Sequence, residues 1–118
     1  MSQRTERIAD LVRAELADLL LRELRDPRVR QATVSRVEVS ADFGHALVHV
    51  SALGDESQRR AAVNGLESAG GFLRRELARR LSLRQVPALR FVLDHGAEHS
   101  LRIAAILDDL DKEPDHGS

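Results

Sequence analysis

The sequence predicts an α+β domain in which helices pack on one face of a three-stranded sheet. Three observations carry that expectation. Apolar residues recur at three- and four-residue spacing over residues 3–25, over 55–83 and again beyond Gly96. Three shorter segments alternate apolar with polar residues, and glycine or proline punctuates the junctions. A chain of 118 residues can bury one modest core, so one domain is expected over 1–111, followed by a polar tail, 112–118, with nothing to bury.

The first helix is expected from Gln3 to about Arg25, with Ile8, Leu11, Val12, Leu16, Leu19 and Leu20 on one side. Asp26-Pro27 stops it, because the residue before a proline avoids helical geometry. Its apolar side needs a sheet or another helix beneath it; a partner-binding amphipathic helix is the alternative.

Val37, Val39 and Ala41 then share one parity and Arg36, Glu38 and Ser40 the other, which reads as a strand with one buried face. Val34 breaks the parity, so the strand starts late or bulges there. After turn chemistry at Asp42-Phe43-Gly44-His45, a second strand places Ala46, Val48, Val50 and Ala52 inward, with Leu47, His49 and Ser51 outward. Asp55 is a good N-cap for the next helix, and Gln58 stands where it can reach back to complete a capping box.

The stretch from Asp55 to Leu83 is a helix, the tripeptide Ala69-Gly70-Gly71, and a second helix rich in arginine. Ala62, Val63, Leu66 and Ala69 line one side before the tripeptide; Leu73, Leu77 and Leu81 do so after it. Adjacent glycines cost about 1 kcal/mol each inside a helix, so they mark a bend or a break, and without a Cβ they let another backbone come close. On the second helix Arg74 and Arg80 fall on the shoulders of the leucine face, Arg75 and Arg79 point away, and Arg84 extends the series. Glu76 alone offsets them locally, so a positive field should reach solvent; a plain solvated helix face is the bland alternative.

Pro87 opens a third strand, where a missing N–H is tolerable, and Leu89, Phe91 and Leu93 alternate with Ala88, Arg90 and Val92. Leu101, Ile103, Ile106, Leu107 and Leu110 set out a last helix.

The net charge of -1 is unevenly spread: residues 94–118 hold seven acids and two bases, residues 1–93 hold 12 acids and 16 bases. A mildly basic body with an acidic tail hints at nucleic-acid contact by the body. The aromatics are Phe43, Phe72 and Phe91 alone, so stacking platforms for bases are poorly supplied, whereas phosphate and shape recognition remain available. Seventeen of the 18 bases are arginine, which suits bidentate phosphate chemistry and equally a compositional bias. Absence of cysteine removes disulfides, thiolate metal sites and thiol nucleophiles, and suits a reducing cytoplasm. The polar start Met1-Ser2-Gln3-Arg4 leads to the expectation of no signal peptide, and no apolar run approaches the roughly 20 residues of a membrane span. His95 and His99, with Asp94 and Glu98, could present a metal site on a helical turn, but Gly96 weakens the helix where that geometry is needed. No metal or cofactor is therefore expected. Without a phosphate-cradling glycine loop, nucleophile elbow or paired-carboxylate pattern, the chain reads as a non-enzyme.

Several words in this order resemble the ribosome-binding factor A family: Asp26-Pro27-Arg28-Val29, Val37 to Asp42 followed by Ala46, Ala69-Gly70-Gly71-Phe72-Leu73-Arg74-Arg75-Glu76-Leu77, Val86 to Phe91, and Arg102-Ile103. The resemblance runs from Arg7 to about Leu110. It implies a type II KH-like fold in which an Ala-x-Gly bend, here Ala69, Gly70 and Gly71, replaces the GxxG loop that clamps single strands in ordinary KH domains. No GxxG occurs in this chain, so binding has to rest on phosphates and RNA shape. The candidates are Arg74, Arg75, Arg79, Arg80 and Arg84, with Arg90 and Arg36 from the sheet. The resemblance further implies a cytoplasmic factor, here expected to be monomeric, that binds the free small (30S) ribosomal subunit, assists late 16S rRNA maturation near its 5′ end and supports growth in the cold. The rival reading is a protein-interaction module that uses the first helix or the acidic tail and touches no nucleic acid.

Overall fold

A computed structural model describes residues 3–94 and Leu110. The elements run α1 (Gln3–Arg22), a 3-10 turn (Pro27–Val29), β1 (Ala32–Val39), β2 (His45–Ala52), α2 (Glu56–Ser68), α3 (Gly70–Leu81) and β3 (Ala88–Leu93). The sheet order is β1-β2-β3; β1 and β2 form an antiparallel hairpin, and the α2–α3 crossover returns β3 parallel to β2. Val12, Leu16 and Leu19 of α1, Val48 and Val50 of β2, Leu66 of α2 and Leu73 and Leu77 of α3 are all fully buried and make one core between the helices and the sheet.

The first helix ends earlier than expected, at Arg22. The N–H groups of Glu23 and Leu24 both bond the carbonyl of Leu19, which closes the helix before Asp26-Pro27. That dipeptide instead starts the next element, in which Asp26 caps the 3-10 turn, its Oδ1 accepting the N–H of Arg28 at 2.9 Å.

In β1 the register shifts between Val34 and Arg36, the irregularity that the parity break at Val34 anticipates. Ala41, expected on the core parity, is exposed, because β1 ends at Val39 and Ser40 is drawn inward instead. The Ser40 hydroxyl donates to Asp42 at 2.8 Å and accepts the His45 N–H at 3.0 Å, closing the turn.

Leu47 and His49, expected to face outward, are both only 1% exposed. Alternation treats histidine as a polar, outward residue; here Glu38 pairs with the imidazole at 3.2 Å and lets it be buried.

The last helical pattern, the tail 112–118 and the His95–His99 pair lie outside the described residues, except that Leu110 is helical and buried.

Candidate nucleic-acid interface

The bend is built from its caps. Asp55 and Gln58 form the expected capping box, each of the two bonds 2.8 Å long, so α2 starts firmly at Glu56. At its other end Ala69, with φ -87° and ψ 2°, is the single non-helical residue between α2 and α3. Its N–H reaches the carbonyls of Gly65 and Leu66, while its own carbonyl accepts from Leu73 at 2.9 Å, so the backbone stays bonded through the kink.

Among the described residues no backbone from another element comes within 4 Å of where a Cβ on either kink glycine would stand, contrary to expectation. A Cβ on Gly70 would meet nothing within 4 Å, and one on Gly71 would meet the Arg75 guanidinium at 3.4 Å. The close approach is one turn earlier, at Gly65, where a Cβ would stand 2.9 Å from Val29 Cγ1 and 3.3 Å from Arg28 Cβ. Gly65 shows no break in the helical pattern, which is why spacing alone passes over it.

The leucine face of α3 sorts its arginines. Arg74, half-buried, donates from Nη2 to the carbonyl of Val86 at 2.8 Å and ties α3 to the entry of β3. Arg80, also half-buried, donates from Nη1 to Asp18 at 2.8 Å and to Glu15 at 3.1 Å across the boundary with α1. Those bonds raise the Arg80 pKa, and together with Arg22 they hold the Asp18 carboxyl below the ordinary carboxylate range. Arg75, Arg79 and Arg84 are exposed. Arg79 meets Glu76 at 2.6 Å, a solvent-facing pair that a phosphate can replace at little cost. Among the described residues Arg75 and Arg84 make no ion pair or hydrogen bond through their side chains.

Arg36 and Arg90 are not brought to this surface. Register places Arg36 opposite His49, His49 opposite Val92, and Leu47 opposite Arg90, all on the sheet face that points away from the core shared with α1, α2 and α3. Arg90 is exposed there. Arg36 stands 3.3 Å from Glu38, whose other oxygen is 3.2 Å from His49 Nε2. The bond to His49, then the charge of Arg36, keep Glu38 below the ordinary carboxylate range against the opposing effect of burial.

The described residues contain no group of three or more His, Cys, Asp or Glu placed to hold a metal ion, and no described helix is long and apolar enough to cross a membrane. Chemically, the exposed side of α3 offers cations to an anionic partner.

The family model described as ribosome-binding factor A matches residues 4–107. A ribosome-binding factor A from Nitrosospira multiformis is 46% identical over 106 residues, covering 90% of this chain and 84% of that protein. The crystal structure of ribosome-binding factor A from Thermus thermophilus superposes with a TM-score of 0.71 at 29% identity, covering 79% of this chain and 98% of that one. A homology model of the Thermus thermophilus protein, fitted into a cryo-electron-microscopy map of a 30S complex, matches with a TM-score of 0.54 at 34% identity over 70% of this chain and 90% of that one.

Proposed function

This chain belongs to the ribosome-binding factor A family, and we propose that it is an assembly factor that binds the free small (30S) ribosomal subunit and assists late maturation of 16S rRNA near its 5′ end. The observation that carries the reading is a division of labour among the arginines of α3 and its exit: Arg74 and Arg80 are engaged within the fold, while Arg75 and Arg79 on the helix, and Arg84 just beyond it, stand in solvent. Two buried leucines and the Arg80 contacts hold the helix backbone in place, so rRNA phosphates need order only the exposed guanidinium side chains and not the helix that carries them. Such contacts read charge and shape, as a chain without a GxxG loop and with few aromatics requires. Arg36 and Arg90 face the other way, and a separate rRNA segment is needed to reach them.

The role is one of binding and release, without chemistry, by a monomer in the cytoplasm. Demand for it rises in the cold, when misfolded rRNA persists longest. Affinity for purified 30S subunits, measured across a salt series, tests the mechanism. Each of Arg75→Ala and Arg84→Ala should weaken binding and flatten the logarithmic salt slope by about one unit. Unaltered slopes in both variants contradict it.

A further inference from the structure

A second candidate surface, with Arg30 as a cation unpaired among the described residues, lies toward the other end of α2 from the kink. Gly65 permits it, because the missing Cβ lets the 3-10 turn Pro27–Val29 rest directly on α2. Asp26 then fixes the Arg28 guanidinium, accepting from Nη2 at 2.6 Å and from Nε at 3.1 Å. Between that turn, the end of β2 and the first turns of α2 opens a cleft of about 460 Å³, within the range of small-ligand sites. Leu53 and Ala61 contribute its apolar surface, and Arg28, Arg30, Gln31 and Gln58 its polar one. Leu53 is 71% exposed, so its apolar surface is open to a ligand. No acidic residue lines the cleft, and the exposed Arg30 side chain makes no ion pair or hydrogen bond among the described residues. Gln58 uses only Oε1 in the capping box, which leaves its amide N–H groups available.

This combination matches the chemistry of one unpaired nucleotide: an apolar surface for the base face, amides for its edge, and a cation for its phosphate. A stacked duplex offers no free base to such a cleft. We propose that the cleft seats a single unpaired RNA nucleotide, its base against Leu53 and Ala61 and its phosphate on Arg30. RNA is favoured over an acidic peptide because the proposal rests on the rRNA-binding reading given above. It supplies what α3 lacks, a means of telling single strands from duplex.

The test uses the full chain and fluorescence anisotropy with two probes, a labelled single-stranded RNA dodecamer of mixed sequence and the same strand annealed to its complement. Arg30→Ala should weaken single-strand binding by about tenfold and leave duplex binding unchanged. Leu53→Ser, which alters no charge at an exposed position, should do the same. Arg75→Glu with Arg79→Glu should weaken both probes together. Should that double variant leave both intact while Arg30→Ala still discriminates, the α3 reading fails and this one stands. The cleft proposal is overturned if Arg30→Ala and Leu53→Ser bind the single strand as the parent does, if they weaken strand and duplex equally, or if a glutamate-rich peptide displaces the strand and loses its own affinity in Arg30→Ala.

Discussion

Arg80 Nη1 lies 2.8 Å from Asp18 Oδ2, so an arginine that helical spacing groups with the candidate RNA contacts instead joins α3 to α1. Its guanidinium donates to both Asp18 and Glu15; without it Glu15 loses this partner and Asp18 keeps Arg22 alone. Arg80→Ala should therefore lower the melting temperature while leaving affinity for 30S subunits close to that of the parent. Calorimetry and cosedimentation on the same preparation check both halves.

The acid limb of that variant gives an independent reading. Asp18 is held below its ordinary value of 3.8 in the folded chain, chiefly by the Arg80 bond, so its contribution is present above that pH and is lost as pH falls through the lowered folded value. The stability gap between parent and Arg80→Ala should persist at neutral pH and narrow as pH falls below 3.8, followed by circular dichroism. A gap that widens on acidification contradicts the assignment.

Gly65 and Gly70 should respond in opposite directions to alanine. At Gly65 the new Cβ meets the buried Val29, a short β-branched side chain with little room to yield; overpacking of about 1–3 kcal/mol should outweigh the roughly 1 kcal/mol that alanine contributes to a helix. Gly70→Ala meets nothing within 4 Å and should stabilise by up to about 1 kcal/mol. Urea unfolding of both variants decides the matter.

His49 is buried at 1% exposure and Glu38 is its carboxylate partner. Glu38→Ala leaves that imidazole without the carboxylate and should cost about 1–3 kcal/mol, whereas Glu38→Gln keeps an acceptor and should cost less. A negligible loss in Glu38→Ala, measured by denaturant unfolding, would show that the bond contributes little.

Much of the fold was legible because periodicity reports burial on one side. The α+β class, the capping box at Asp55, the irregularity after Val34 and the junction at Ala69 all follow from local spacing and local chemistry. Two-sided burial is not local: Leu47 and His49 look outward by parity yet are both buried, and the Glu38 that pairs with His49 sits on a different strand. The candidate site divides in the same way. Exposure of Arg75 and Arg79 follows from the leucine face of their own helix, but Asp18 is 62 residues from Arg80 in sequence, and nothing within α3 signals that contact. The kink glycines drew attention through composition, while the close approach sits at Gly65, whose role depends on Val29, from a different element.

Reversing Arg75 and Arg79 to glutamate tests the central claim most directly, since both side chains point into solvent and neither ties α3 to another element. Sedimentation of the folded double variant with free 30S subunits at moderate salt should show no bound protein, while Arg80→Ala, run alongside, still pellets with the subunits. A double variant that cosediments like the parent would place the ribosome contact elsewhere on the molecule and remove α3 from it.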